Sequence, residues 1–213
     1  MIFMLLLLLF PIPASALEWL VEGGAGASLF QRTTPDGTWC QEGLGQGCKF
    51  DNQDLAFRAG VGLQLNPNWS LGLNYLNLGT VSAVTTMVGD ADYDLATKRC
   101  LQNCGSPQVG RTWDRLDGGE LIATYTYTRW LVEPYVRGGM ALMRHQFSWH
   151  TETPGYGFTN YTLNGILVMG VGGVGACVQW LCADVSAYKS VGSTGVPLSN
   201  AVLVPMVVGK WRF

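Results

Sequence analysis

The sequence has few charged residues: Asp, Glu, Lys and Arg make up 13% of its 213 residues, about half the usual share in a soluble domain. The formal net charge is −2, so electrostatics gives no support for a nucleic-acid partner. After residue 10 the chain has no long apolar run. This excludes a helical membrane protein, because a spanning helix needs roughly 20 apolar residues. It does not exclude a chain whose apolar residues are spread over alternating positions, as in membrane β-barrels.

The start of the chain also lacks a basic residue before its apolar run, Met1-Ile-Phe-Met-Leu-Leu-Leu-Leu-Leu-Phe10. The run is too short to cross a bilayer, and Ala14-Ser15-Ala16 follows it as a small-residue cleavage site. We therefore predict a signal peptide at residues 1–16 and a single domain at residues 17–213.

The six cysteines fall into three close pairs, which are Cys40/Cys48, Cys100/Cys104 and Cys177/Cys182. An even number of cysteines in an exported chain favours disulfides, and each pair would pin a local loop or turn. The alternative is a four-cysteine metal site. Its ligands would have to come from distant loops in an oxidising compartment, so we expect no metal ion and no cofactor.

The last twelve residues alternate with period two, most visibly close to their end. Positions 203, 205, 207, 209, 211 and 213 are apolar, whereas Lys210 and Arg212 between them are charged. A second segment, Asp54 to Leu65, places six apolar residues on one face and polar or small residues on the other. Alternation with period two predicts strands with one apolar face. A lipid-facing wall accounts for faces this long better than a soluble core.

The same pattern predicts eight strands joined alternately by long loops and short turns. The predicted strands are Glu18–Phe30, Asp54–Leu65, Trp69–Leu78, Glu120–Tyr127, Val132–Met143, Thr162–Ala176, Ala183–Tyr188 and Val202–Phe213. The four long connections are Gln31–Gln53, Gly79–Gly119, Arg144–Tyr161 and Lys189–Asn200. Five tryptophans lie at the ends that carry the three short turns, namely Trp19, Trp69, Trp130, Trp180 and Trp211. An eight-stranded antiparallel up-and-down transmembrane barrel explains both features, with short periplasmic turns, an aromatic girdle beside them and long extracellular loops.

Four segments resemble the outer-membrane protein A and X group and the opacity-protein surface antigens. They are the Gly-rich first strand, Phe57-Arg-Ala-Gly-Val-Gly62, Glu133-Pro-Tyr-Val-Arg-Gly-Gly139 and the terminal Lys210-Trp-Arg-Phe213. The resemblance implies a bacterial outer-membrane protein in contact with membrane lipid and lipopolysaccharide. It also implies that the barrel-assembly machinery reads Phe213, and that the loops serve as a surface antigen or adhesin, or the barrel serves the envelope structurally. A host or phage surface ligand would then bind the loops.

Charged residues on the inner face of the predicted strands are the main candidates for a functional site. They are Glu22, Arg58, Glu120, Glu133, Arg137 and Lys210. The interior of an eight-stranded barrel is just wide enough to be filled by side chains. We expect these residues to pair across the lumen as a polar plug, because unpaired buried charges are costly. The alternative is a narrow, gated pore.

Three other patterns are weaker candidates for a catalytic, calcium-binding or nucleotide-binding site. His145, Ser148, His150 and Glu152 could form a hydrolase set such as that of lipid A deacylases, but His145 and Ser148 differ in strand parity, so solvated loop histidines and no enzyme are expected. Asp90, Asp92 and Asp94 begin like a calcium loop but lack its later ligands. Gly170-Val-Gly-Gly-Val-Gly175 matches a dinucleotide motif, yet no helix is predicted after it.

Overall fold

The computed structural model describes residues 18–31, 45–87, 93–94, 99–100, 108–153, 157–191 and 201–213. These residues form eleven strands: β1 (Glu18–Gln31), β2 (Gly45–Asp51), β3 (Gln53–Gln64), β4 (Trp69–Met87), β5 (Tyr93–Asp94), β6 (Arg99–Cys100), β7 (Gln108–Thr126), β8 (Glu133–Thr153), β9 (Gly157–Val178), β10 (Leu181–Ser190) and β11 (Ala201–Arg212). Within these ranges there is no helix of sufficient length and hydropathy to cross a membrane. The predicted signal peptide lies outside the described residues.

Eight of the strands close into a barrel in which each strand is antiparallel to its neighbours. The order is β1-β3-β4-β7-β8-β9-β10-β11, and β11 pairs back with β1. The cross-strand partners met in one circuit from Trp19 are Leu63, Leu71, Ala123, Gly138, Gly172, Ala187, Leu203 and finally Leu29. The circuit returns to β1 ten residues further along, so with ordinary strand spacings the strands tilt by about 40°.

Side chains alternate between the lumen and the outer surface along every barrel strand. On β10, Cys182, Asp184, Ser186 and Tyr188 are buried, whereas Leu181, Ala183 and Val185 are exposed. β11 likewise buries its even positions from 202 to 208. The predicted eight-stranded antiparallel barrel is therefore confirmed.

Short turns join the strands at one end of the barrel, called here the turn end. Between β3 and β4, the Asn66 side chain accepts hydrogen bonds at 2.9 Å from the backbone N–H groups of Asn68 and Trp69. Residues 127–132 join β7 to β8. Gln179 and Trp180 join β9 to β10, with Gln179 in the left-handed conformation (φ 57°).

The opposite end, called here the loop end, departs from the predicted boundaries. The segment Gly79–Gly119 was expected to be a loop, but β4 continues to Met87 and β7 begins at Gln108. The predicted loop Arg144–Tyr161 is also wrong, because β8 runs to Thr153 and β9 starts at Gly157.

The predicted loop Gln31–Gln53 needs the same correction, and the correction includes Cys48. This cysteine was expected to pin a loop, but it lies in β2, which pairs with the far part of β4. Cys48 is the cross-strand partner of Thr85, and the register of the pair of strands shifts between Gly45 and Cys48. The prediction failed because β2 has no apolar alternation that would mark it as a strand.

The boundary at Leu78 failed because the strand changes parity there. The register between β4 and β7 shifts between Asn77 and Thr80, and Gly79 takes a positive φ of 79°, which glycine adopts without strain. The bulge reverses which later residues face inward. The apolar alternation that predicts the strand from Trp69 therefore stops at the bulge, although β4 continues beyond it.

Candidate functional site

Four charged side chains from four strands meet inside the barrel and form a closed ring of ion pairs. Arg58 on β3 lies 3.0 Å from Glu120 and 3.6 Å from Asp184. Arg137 on β8 lies 3.2 Å from Glu120 and 3.3 Å from Asp184. All four side chains are at most 2% exposed. Because each charge has two opposite neighbours, the ring is neutral and its buried groups are paired.

Two tyrosines add hydrogen bonds to the carboxylates of the ring. The hydroxyl of Tyr188 donates to Glu120 at 2.8 Å and accepts from Arg58 at 3.3 Å. The hydroxyl of Tyr135 donates to Asp184 at 2.9 Å. These contacts occupy carboxylate oxygens that would otherwise be buried with fewer partners.

Asn74 extends the network towards the turn end. Its amide donates to Glu120 at 3.0 Å and to Glu22 at 2.6 Å. Glu22 and Lys210 are direct cross-strand partners on β1 and β11. The Lys210 ammonium also lies 4.1 Å from the centre of the Tyr135 ring, a cation–π contact. Five of the six predicted inward charges thus belong to one connected cluster.

The sixth, Glu133, lies at the rim of the turn end. Its carboxylate is 4.0 Å from Arg212, and both side chains are partly exposed. Together with Glu22 and Lys210 they border a cavity of about 50 Å³. A cavity of this size holds a few water molecules and no larger ligand.

Towards the loop end, a layer of apolar side chains lies above the ion-pair ring. On β8, Arg137 is followed on the inner face by Ala141 and Met143, which are 1% and 0% exposed. The same layer receives Leu76, Leu78, Leu116, Leu167, Met169, Val202 and Val204, all at most 3% exposed. Packed apolar side chains therefore close the lumen on this side of the ring.

A buried histidine lies on the loop side of the apolar layer, where solvated histidines were expected. His145 is 3% exposed, and its Nε2 lies 2.9 Å from the Asp114 carboxylate. The expectation was wrong for His145 because β8 continues through it. Ser148 has the opposite parity and contacts Thr162 at 3.4 Å, so His145 and Ser148 do not form a nucleophile–base pair. His150 contacts Asn160.

One of the three predicted disulfides lies among the described residues. Cys177 and Cys182 are bonded and directly opposite each other on β9 and β10. They lie next to the turn at residues 179–180, which the bond clamps as predicted.

The other two predicted disulfides each have one cysteine among the described residues. Cys48 lies in β2 and Cys100 in β6, so neither is the loop residue that the sequence suggested. Their expected partners, Cys40 and Cys104, lie outside the described residues. The bond of Cys48 with Cys40 and that of Cys100 with Cys104 therefore stay predictions.

The two remaining motifs of the sequence also have a place in the structure. The segment Asp90–Asp94, which only begins like a calcium loop, lies largely outside the described residues, with Asp94 in β5. The dinucleotide-like glycines lie within β9, where a nucleotide site would need a strand followed by a helix.

The five tryptophans of the predicted girdle are all exposed at the turn end. Their ring contacts include a stacked pair, Trp180 and Trp211, with centroids 6.0 Å apart. Trp19 exchanges two backbone hydrogen bonds with Phe213, at 3.2 and 3.0 Å. The Phe213 side chain is 76% exposed, so it takes no part in packing the lumen. Its reading by assembly machinery stays a prediction.

Several members of the interior network were missed from the sequence. They are Asn74, Asp114, Asp184, Ser186 and Tyr188. The signal was present for Asp184 and Tyr188, since both share the parity of Cys182 on a strand whose other face is apolar. Among the described residues there is no group of three or more His, Cys, Asp or Glu placed to hold a metal ion.

Comparison with known proteins gives structural neighbours only. No family model matches the chain, and no curated protein matches it. One structural neighbour is Ail, the attachment invasion locus protein of Yersinia pestis, whose structure was solved with the heparin analogue sucrose octasulfate. Its sequence is 10% identical to this chain, and the two structures superpose with a TM-score of 0.45 over 92% of this chain and 99% of Ail. Neisserial surface protein A is 13% identical (TM-score 0.42; 92% and 95% covered). The outer membrane protein OprG from Pseudomonas aeruginosa is 12% identical (TM-score 0.43; 93% and 96% covered).

Proposed function

We propose that this protein is a non-enzymatic integral protein of a bacterial outer membrane, whose barrel crosses the lipid and presents a large surface at its loop end. The observation that carries the proposal is that charged side chains lie inside the barrel and apolar side chains lie on its outer surface, the reverse of a soluble protein. The charged ring is at most 2% exposed, while Leu55, Leu73 and Leu121 on the outside are 62%, 62% and 55% exposed. A soluble ligand-binding barrel would have the opposite arrangement.

The loop end supports a role in surface recognition. The β7–β8 ladder continues as far as Val109 opposite Glu152, and β8 pairs with β9 up to Thr153 opposite Gly157. These strands extend well past the ends of β10 and β11. Tyr161 and Ile166 on the extension are 51% and 78% exposed. We infer that this extension faces outward from the cell as a surface antigen, adhesin or envelope contact, in the manner of the A/X-type and opacity-type barrels that the sequence resembles.

The partners implied are outer-membrane lipid and lipopolysaccharide around the barrel, the assembly machinery at Phe213, and a host or phage surface ligand at the extension. A pore is the weaker alternative, because the ion-pair ring and the apolar layer both cross the lumen. Planar-bilayer recordings on purified protein should show no stable openings. Expression should also leave lipid A acylation unchanged, since His145 and Ser148 face opposite sides of β8.

An epitope tag tests the proposed topology. A tag placed between Thr153 and Gly157 should be bound by antibody on intact cells, since β8 and β9 meet there at the loop end. A tag placed after Arg129, in the turn between β7 and β8, should be bound only after the outer membrane is opened. Both variants must migrate as folded barrels before boiling. Labelling of the Arg129 tag but not of the loop-end tag on intact cells would refute the orientation.

A further inference from the structure

A group of three charged side chains lies on the outer surface of the barrel, outside the lumen network. Arg144 on β8 and Asp117 on β7 are direct cross-strand partners. Nη2 of Arg144 donates to both carboxylate oxygens of Asp117, at 3.0 and 3.1 Å. Nε of Arg115 lies 3.5 Å from the same carboxylate. The arginine side chains are 62% and 46% exposed, whereas that of Asp117 is 10% exposed.

The position of this group coincides with the upper end of the apolar outer surface. On β8 the outward positions Val136, Met140 and Leu142 are 54%, 58% and 60% exposed, and the next outward position is Arg144. On β7, Tyr125 lies beside the Trp girdle and Asp117 is eight residues further along. With a rise of about 3.3 Å per residue and the tilt of about 40°, eight residues correspond to roughly 20 Å along the barrel axis. The apolar band of an outer-membrane barrel is about 25 Å tall, so the group lies close to the upper edge of the band, from which long arginine side chains reach the lipid headgroups.

The charges of the group fit an anion. Two guanidinium groups share one carboxylate, so the group carries a net charge of one positive unit, and both arginine side chains are about half exposed or more. Planar guanidinium groups bind phosphate oxygens by paired, charge-assisted hydrogen bonds. Met140 and Leu142 lie directly below and offer apolar surface to an acyl chain.

We propose that Arg115 and Arg144 bind the phosphate of an anionic lipid headgroup in the leaflet on the loop side, with Asp117 holding both guanidinium groups in place. The inference rests on the proposed membrane location and goes beyond it, because it assigns a headgroup site to one side of the barrel. The ligand is a lipid-linked phosphate, held by the arginines at its head and by the apolar surface along its chain.

Lys189 provides a matched control. It is exposed on the outer face of β10, two residues beyond Ala187. The cross-strand partners of Lys189 lead to Leu121 on β7. Because the strands tilt, equal heights on β10 and β7 differ from direct partners by about four residues, which places Lys189 near the height of Asp117. The variants Arg144→Gln and Lys189→Gln each remove one outward positive charge at the edge of the apolar band, but only Arg144→Gln removes a guanidinium from the pair.

The test uses full-length protein in vesicles of phosphatidylcholine containing a small fraction of phosphatidylglycerol, with retained lipids counted by native mass spectrometry. Wild-type protein should retain phosphatidylglycerol in preference to phosphatidylcholine. Arg144→Gln should lower that preference about fivefold, because it removes one of the two guanidinium groups that donate charge-assisted hydrogen bonds to the phosphate. Arg144→Lys should lower it less, and Lys189→Gln should change it less than twofold.

Equal losses for Arg144→Gln and Lys189→Gln, or no loss for either, would overturn the site. Displacement of the lipid by inorganic phosphate at the same phosphate concentration would identify a soluble anion instead. Folding is checked in each sample by the change in gel migration on boiling. If wild-type protein does not insert, the membrane proposal fails; if it inserts without a headgroup preference, only the lipid site fails.

Discussion

The guanidinium group of Arg137 lies 3.3 Å from the carboxylate of Asp184, although β9 runs between their two strands. The contact passes over Gly173 and Gly175, which leave room on the inner face of β9. The glycine-rich segment that resembles a dinucleotide motif thus allows side chains of β8 to reach those of β10. The ion-pair ring therefore depends on Gly173 and Gly175, which have no side chain to separate Arg137 from Asp184.

Removing one carboxylate from the ring should destabilise the barrel strongly. In Glu120→Gln, Arg58 and Arg137 would share a single buried carboxylate, and a net positive charge would remain inside. We expect the free energy of unfolding in detergent micelles, measured by urea titration, to fall by about 3–5 kcal/mol.

The same substitution at the rim provides the control. Glu133 is partly exposed and 4.0 Å from Arg212, so Glu133→Gln should cost less than about 1 kcal/mol. Comparable losses for the two variants would mean that the ring does not hold the barrel together.

Adding a single methyl group to β9 should disturb the ion-pair ring indirectly, through Tyr135. A Cβ at position 175 would clash with the Tyr135 ring and with the backbone oxygen of Ala183. We expect Gly175→Ala to displace Tyr135 from Asp184 and to lower the free energy of unfolding by about 1–3 kcal/mol. At Gly172 a Cβ meets nothing within 4 Å, so Gly172→Ala should be nearly neutral. Near-neutrality at both positions would contradict this explanation of the glycines.

The disulfide between Cys177 and Cys182 should contribute only modestly to stability. The two cysteines are five residues apart, and closing so short a loop restricts the unfolded chain by at most about 2 kcal/mol. A Cys177→Ser/Cys182→Ser variant should still fold and still change its migration on boiling. Complete loss of the folded form would show that the turn needs the covalent clamp.

Phe213 should matter for assembly more than for stability. Its side chain is exposed and its contacts with Trp19 are made by backbone groups, which Phe213→Ala retains. We expect the variant to refold in detergent with unchanged denaturant resistance, while its yield in the outer membrane of cells falls severalfold. An equal fall in refolding would assign Phe213 a structural role instead.

Strand alternation was sufficient to predict the barrel and the inward charges, because parity alone decides which face a residue occupies. It predicts Arg58, Glu120 and Arg137 as lumen residues from the sequence alone. Alternation could not predict which charges would meet, since that depends on the ten-residue offset around the barrel. Asp184 joins the ring through this offset.

The upper strands could not be predicted in the same way. Beyond Gly79 the bulge changes the parity of β4, and on β8 the outward apolar residues give way to Arg144. A search for apolar residues at every second position therefore ends before these strands do. His145 and Cys48 were assigned to loops for this reason, although β8 continues through His145 and β2 contains Cys48.

The most direct measurement is gel migration of protein from the membrane fraction, without heating and after boiling. An inverted barrel with a charged, closed interior should resist detergent when unheated and change its mobility once boiled. The protein should also require detergent for extraction. Release into the soluble periplasmic fraction without a change in mobility would contradict the assignment of the apolar outer face to lipid.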